Sequence, residues 1–569
     1  MRWFRRVLVA LVLGAFILWL LSDSAPSVEP GSILVLDIGG EYAEEVEPPI
    51  LSRLLGDGRR PFVSLLSELR KAERDDRLAA VVLRIRSLEI GWGKAYEIRD
   101  AIAGLGAAGR RTLAYLEGES FRANMEYYIA TGADEIHQPP AARTPLVGLA
   151  AEFFFLGGMF EKLGVELEVE RVGRYKSAAD FFSAREMSDA HREMADALLD
   201  SINQQFIAGI AEGRGLQPDF VRDAIDRAPM TPEELLALGL IDQISHYDQV
   251  IELLGDGPTI RDTDYAEVDP ESVGFEPVAQ FALVYGSGPV VTGSGARTRS
   301  GQSVLASETV SSALQDAAED DDISAIIFRI DSPGGSALAS DIVWRAARRA
   351  REQGKPLIAS LSDVAASGGY YVASAADAIV APPAGLTGSI GVLLLRPVFR
   401  GLLEKLGIGV QPLTRGAHAD LLLGSQPLTA ESRARLQDEV ESIYDLFVER
   451  VADGRELSVE RVDELGQGRV WTGAQAAEIG LIDEVGGLRV AVGRAKESLG
   501  LDPDSDVLLL PYPPPKSFAE QIDEALRGVA TSAVPELPLP RLVRDLTRWL
   551  AALPEGAPVL LPPFLLEIH

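Results

Sequence analysis

Residues 125–136 read Met-Glu-Tyr-Tyr-Ile-Ala-Thr-Gly-Ala-Asp-Glu-Ile and residues 368–379 read Gly-Gly-Tyr-Tyr-Val-Ala-Ser-Ala-Ala-Asp-Ala-Ile, which puts Tyr127 and Tyr370 243 positions apart. The second copy follows Ala365-Ala366-Ser367, and where it carries Ser367 the first carries Asn124. A later segment repeats as well: Leu238-Gly239-Leu240-Ile241-Asp242 matches Ile479-Gly480-Leu481-Ile482-Asp483 at an offset of 241. The chain is therefore a duplication over most of its length. One copy has kept a candidate nucleophile that the other lacks.

Working outward from these segments, apolar runs of strand length alternate with longer helical patterns, as in an α/β protein. In the second copy residues 325–330 (Ala-Ile-Ile-Phe-Arg-Ile) predict a buried strand ending at Asp331-Ser332-Pro333-Gly334-Gly335, followed by a helix through Arg351 and a strand over 356–361. The first copy repeats the plan with a strand over 80–86, a helix over 94–105 and a strand over 112–116. Residues 33–38 predict a further strand, and 286–301, rich in Gly, Ser and Thr, a mobile loop. The expected division is 1–31 as anchor and linker, 32–268 and 281–500 as two related domains, and 501–569 as a tail in which 542–553 is amphipathic.

A chain of 569 residues is too long for one ordinary core. Its formal charge of −31 would repel a polyanion, so nucleic acid is not an expected partner. The absence of cysteine excludes a thiol nucleophile, disulfides and thiolate metal sites. No cofactor or metal is expected. At the N-terminus, Arg2, Arg5 and Arg6 precede an apolar run over 7–21, with Trp3, Phe4 and Trp19 near its edges. This is the order of a signal sequence or a signal anchor whose positive end stays on the cytoplasmic side, and the indifferent cleavage site at Ser22-Asp23-Ser24-Ala25 favours a retained transmembrane helix over a cleaved peptide.

A serine hydroxyl needs a neighbouring base. The histidines, His137, His191, His246, His418 and His569, sit in no triad motif, so a histidine base is open but unsupported. Lysine is the other candidate. The chain uses eight lysines against several-fold more arginines, and a chain that writes Arg for surface cations keeps Lys where a group must lose its proton. Lys176 lies in Arg171-Val172-Gly173-Arg174-Tyr175-Lys176-Ser177-Ala178 before Phe181 and Phe182, where apolar neighbours would desolvate its ammonium. Most lysines in loops are nonetheless exposed cations, and composition alone does not decide. The strand end at Asp331-Ser332-Pro333-Gly334-Gly335 offers backbone N–H groups for an oxyanion, although a lone Pro-Gly-Gly is more often a turn.

Asp331-Ser332-Pro333-Gly334-Gly335-Ser336, Ala365-Ala366-Ser367-Gly368-Gly369-Tyr370-Tyr371, Leu386-Thr387-Gly388-Ser389-Ile390-Gly391-Val392 and the segment around Lys176 together resemble the signal peptide peptidase A group of peptidase family S49, in its long duplicated bacterial form. The resemblance runs to about Gly487. It implies two tandem Clp-protease/crotonase-like α/β domains behind a single-pass anchor in the bacterial inner membrane, with the bulk on the periplasmic side. Ser367 would be the nucleophile, Lys176 the general base, Ser389 the hydroxyl that orients the lysine, and Gly334 and Gly368 the oxyanion donors. A homotetramer that degrades remnant signal peptides is the implied assembly and task. By the offset of 243, Lys176 projects to Ala419, so neither half would hold a complete site. The competing readings are a crotonase-like acyl-thioester enzyme, which needs no Ser-Lys pair or anchor, and a membrane-bound scaffold with relic catalytic residues.

Overall fold

The computed structural model describes residues 26–44, 60–119, 123–295, 297, 303–514 and 559–560. The anchor expected over 7–21 and the amphipathic stretch 542–553 lie outside the described residues, among which no helix is long and apolar enough to cross a membrane.

Each half builds one mainly parallel sheet; the second adds Leu386–Gly388 beside Leu357–Ala366, with Val470–Thr472 antiparallel to Leu386–Gly388. The two share an order of six parallel strands. In the first half it runs Gln243–Ile244, Glu135–Gln138, Arg111–Leu116, Leu78–Leu88, Ser32–Gly40, Thr259–Arg261. In the second it runs Glu484–Val485, Ala378–Ala381, Leu357–Ala366, Ile323–Ser332, Pro277–Ser287, Asp506–Tyr512. Residues 325–330 are buried on both faces, which is why they read as a continuous apolar run instead of alternating. The following helix, Ala337–Glu352, starts where the Ser336 hydroxyl accepts from Ala339 N, and it buries Ala339, Val343, Trp344, Ala347 and Ala350 against the sheet. The helix Trp92–Ala107 stands in the same place in the first half.

The repeated motifs meet in space. Tyr127 Oη donates to Leu240 O at 2.6 Å, and Tyr370 Oη donates to Leu481 O at 2.7 Å. Asp242 and Asp483 each close the same corner, accepting from Ile136 N and Ile379 N and pairing with Arg214 and Arg455 at the ends of the helices Asp189–Arg214 and Ala430–Arg455. The chain thus kept, in both copies, the residues that fasten a long helix to the sheet edge.

The expected loop over 286–301 is smaller than its composition suggests. Residues up to Ser287 complete a strand, and Val290–Val291 pairs with Leu305–Ala306 and with Gly335. A few backbone hydrogen bonds outweigh the local preference of Gly and Ser for turns.

A third sheet joins the halves. The strand Glu166–Val172 runs antiparallel along Val392–Val398 through seven paired residues, from Val392 against Val172 to Val398 against Glu166. Residues 559–560 form a short strand between Gly335–Ser336 and Val392–Val398, antiparallel to both. Beside the long pairing, Leu402 N donates to Gly164 O, and a Cβ on Gly164 would meet the backbone of Gly401 at 2.6 Å. Shifted by the repeat offset of 243, the two paired segments become 409–415 and 149–155, and neither forms a strand. Phe154, Val410 and Leu413 in these segments are exposed, Leu413 by 91%. The glycines are repeated as well: Gly158 stands for Gly401 and Gly407 for Gly164. Among the described residues, a Cβ on Gly407 would meet nothing within 4 Å, and one on Gly158 only the Arg185 side chain at 3.8 Å.

Candidate active site

Ser367 sits at the sharp turn between the strand Leu357–Ala366 and the short helix Gly368–Ala373, with φ 55° and ψ −115°. A positive φ on a residue with a Cβ costs about 1–3 kcal/mol and persists only where its surroundings hold it. Here Ser367 N donates to Gly388 O at 2.7 Å, and the two glycines that follow permit a close approach. A Cβ on Gly369 would fall 2.5 Å from Ser332 O, and one on Gly368 would fall 3.1 Å from Gly334 Cα. Ser389 has the same unusual backbone, φ 53°, and its N donates to Arg469 O at 2.7 Å. In the first half, Asn124 opens an ordinary helix and donates through Nδ2 to Gly148 O.

Lys176 reaches this turn from the other half. Its Nζ is 2.7 Å from Ser367 Oγ, 2.9 Å from Ser389 O and 3.0 Å from Ser389 Oγ, and its side chain is wholly buried. Among the described residues no carboxylate contacts the amine, so burial acts unopposed and holds its pKa well below that of an ordinary lysine. A neutral amine has two N–H groups and a lone pair. The Ser367 hydroxyl and the Ser389 hydroxyl and carbonyl are its hydrogen-bond partners.

Gly368 follows Ser367 directly, and the Gly334 backbone lies against it, 3.1 Å from the place of a Gly368 Cβ. Gly334, at φ +97°, donates from N to Ser332 Oγ at a long 3.2 Å, and Ser332 Oγ is itself tied to Gly288 O at 2.7 Å. The histidines are engaged elsewhere: His137 with Ser245 and Glu135, His418 with Ser432, His191 against Phe153 and Phe155, and His246 at the start of the helix Tyr247–Leu254. His569 lies outside the described residues. All five expected site residues therefore come together, and the hydrogen bond to Ser367 Oγ is made by lysine, not histidine.

Three site elements carry no motif of their own. Tyr175 N donates to Gln467 O at 2.8 Å, and a Cβ on Gly468 would fall 2.6 Å from Lys176 N and Cβ, so the lysine loop fits only over a glycine. Arg469 Nη1 holds Tyr175 Oη at 3.0 Å and Glu193 at 2.8 Å while its carbonyl fixes Ser389. The signal for Gly468 is a contact between halves, which no local spacing encodes.

The family model of peptidase family S49 matches this chain twice, over residues 109–260 and 349–502. The chain is 35% identical over 518 residues to the chloroplastic serine protease SPPA of Arabidopsis thaliana, covering 89% of this chain and 74% of that protein. It is 31% identical over 505 residues to Protease 4 of Haemophilus influenzae, covering 83% and 80%. To Protease 4 of Salmonella typhi it is 27% identical over 505 residues, covering 82% and 78%.

Proposed function

The chain belongs to peptidase family S49, and from that premise we propose that it is a serine endopeptidase working through a Ser-Lys dyad assembled from its two halves. The observation that carries this reading is the Lys176 amine, buried without a counter-charge among the described residues and 2.7 Å from Ser367 Oγ. Neutral Lys176 takes the Ser367 proton as Oγ attacks the scissile carbonyl carbon. The oxyanion forms within reach of the Gly334 and Gly368 amides, a stabilisation of about 3 kcal/mol per donor in comparable sites. The lysine ammonium then protonates the leaving amine, and the new N-terminus departs from an ester on Ser367. Water, deprotonated by the same amine, attacks the ester and releases the acid. Ser389 keeps the amine aimed throughout.

The peptide is expected to lie extended. Residues 559–560 already run antiparallel to Gly335–Ser336 and to Leu393, in a slot one strand wide beside the site. A substrate in that slot would use the same backbone groups. An apolar N-terminus over 7–21 that holds the chain to the bacterial inner membrane, with its bulk on the periplasmic side, suits remnant signal peptides and other apolar peptides as substrates. The shared strand order and the strand-turn-helix bearing Ser367 support the Clp-protease/crotonase-like class for both halves. Four copies per assembly follow from the family resemblance. The half-exposed segment 149–155 and the exposed segment 409–415 support self-association, because each repeats one side of a pairing used inside the chain.

The test is hydrolysis of an apolar fluorogenic peptide by the detergent-solubilised full chain beside Ser367→Ala. Turnover in the variant within about tenfold of the wild type would exclude Ser367 as nucleophile. Gly468→Ala extends the test to the lysine loop. The added methyl must displace Lys176, and a displacement of about 1 Å costs on the order of 100-fold in kcat. Unchanged steady-state kinetics in that variant would show that the loop is not held by this contact.

A further inference from the structure

A second buried lysine stands beside the site with the opposite electrostatics. Lys94, on the first-half helix Trp92–Ala107, has a side chain only 4% exposed. Its Nζ is 2.5 Å from Asp331 Oδ2, 2.9 Å from Asp363 Oδ2 and 3.2 Å from Glu44 Oε1. Burial would push its pKa down, but Asp331, Asp363 and Glu44 outweigh burial and hold it well above the ordinary value. Lys94 is thus a permanent cation where Lys176 is a base.

Its two nearest partners sit at the roots of the catalytic elements. Asp331 precedes Ser332-Pro333-Gly334, and Asp363 lies on the strand that ends beside Ser367. Between them the sheet is irregular: Ile330 pairs with Leu361 and Ser332 with Ala365, so Asp331 alone faces Ser362, Asp363 and Val364. A bulge of this kind re-aims the residues that follow it. The polar groups of the bulge are held from outside the strand. Val364 N donates to Asp331 Oδ1 at 3.2 Å, the Asp363 carboxylate accepts from Gly91 N and Lys94 N at 2.9 and 2.8 Å, and Ser362 bonds Glu44 and Arg329. The matching first-half strands pair in the same register up to the corresponding point, from Ala80 against Arg111 to Ile85 against Leu116.

Building on the reading of Ser367 as nucleophile, we propose that Lys94 is a positioning residue for the reaction: by gripping Asp331 and Asp363 together, it locks the bulge that sets Ser367 against the Gly334 amide. The charged groups around it are Glu44, Glu97, Asp331 and Asp363 against Lys94 and Arg329. Arg329 is occupied with Glu44 and Glu97, so only Lys94 contacts Asp331 and Asp363 among the cations of this cluster. Without Lys94 the two aspartates face each other uncompensated and separate when both are ionised. Protonation of Asp331, whose pKa burial and its acidic neighbours already raise against the pull of Lys94, would let them close again.

The experiment measures peptide hydrolysis from about pH 6 to 10 and thermal unfolding for the wild type, Lys94→Met, Asp331→Asn and the double variant. Lys94→Met is expected to lower kcat at neutral pH about 100-fold with KM changed less than about threefold, and to add a decline in kcat as pH rises. Asp331→Asn in that background is expected to restore kcat at least about tenfold and to remove the decline, because the like charge is gone. A Lys94→Met kcat within about threefold of the wild type would overturn the proposal. So would a loss that is equal at every pH and not recovered in the double variant, or failure of both Lys94 variants to fold, since Lys94 would then serve the fold alone. A wild-type chain without turnover would overturn the peptidase reading and this one with it, whereas an active wild type with an indifferent Lys94 overturns this one alone.

Discussion

Lys176→Met will abolish peptide hydrolysis, with kcat falling about 10⁴-fold or more, and will also change how stability depends on pH. The first effect follows from the loss of the only amine within hydrogen-bond reach of Ser367 among the described residues. Methionine fills a similar volume, so the site keeps its shape and loses its base. The second effect follows from the depressed pKa. Between the folded value and the ordinary lysine value of about 10.4, the unfolded chain holds a proton on Lys176 that the folded chain lacks. Unfolding therefore takes up a proton, and wild-type stability rises with pH across that window, by about 1.4 kcal/mol for each unit separating the two values. The variant has no such term. Its Tm relative to the wild type is expected to fall steadily as pH is raised toward 10. A constant Tm difference from pH 7 to pH 10 would show that Lys176 is protonated in the folded protein and is not poised as a base. The same depressed pKa predicts that wild-type kcat rises with pH until the amine is neutral and then levels.

Much of this arrangement is legible in the sequence, for identifiable reasons. The strands at Ile323–Ser332 and Leu78–Leu88 are readable because burial on both faces leaves a run of apolar residues. The two repeated motifs are readable because the contact between tyrosine hydroxyl and backbone carbonyl constrains both ends of the pair. Scarcity of lysine marks Lys176 and Lys94 alike and does not decide for either, because Glu44, Asp331 and Asp363, which give Lys94 its role, lie far from it in the sequence. Their common burial exists only once the helix Trp92–Ala107 of one half lies on the strands of the other. Gly468 is silent for the same reason. The Gly-rich stretch 286–301 misleads in the other direction, since composition reports local freedom, while Val290–Val291 is fixed by a neighbour from elsewhere in the half.

The second large effect is on assembly, and it comes from the unused copy of the joint between halves. If 409–415 of one chain pairs with 149–155 of the next as Glu166–Val172 pairs with Val392–Val398, then Gly158 must approach Gly407 of the neighbour as Gly401 approaches Gly164 within the chain. Gly158→Phe is then a selective probe. Among the described residues of one chain its Cβ meets only the flexible Arg185 side chain at 3.8 Å, so the fold should tolerate it, whereas a Cβ on Gly401 would lie 2.9 Å from Gly164 O. Light scattering is expected to show the wild type as an oligomer and Gly158→Phe as a single chain, with Tm changed by only a few degrees. An unchanged mass would exclude this joint. The same correspondence predicts what happens to activity. At such a joint between chains the positions of Lys176 and Ser367 would be taken by Ala419 and Asn124, so that joint would hold neither residue, while the joint within each chain holds both. Isolated Gly158→Phe chains should therefore hydrolyse a short peptide within about threefold of the wild-type kcat. Loss of that activity on dissociation would mean that the neighbouring chain completes the site. The duplication would then have divided the site between molecules as well as between halves.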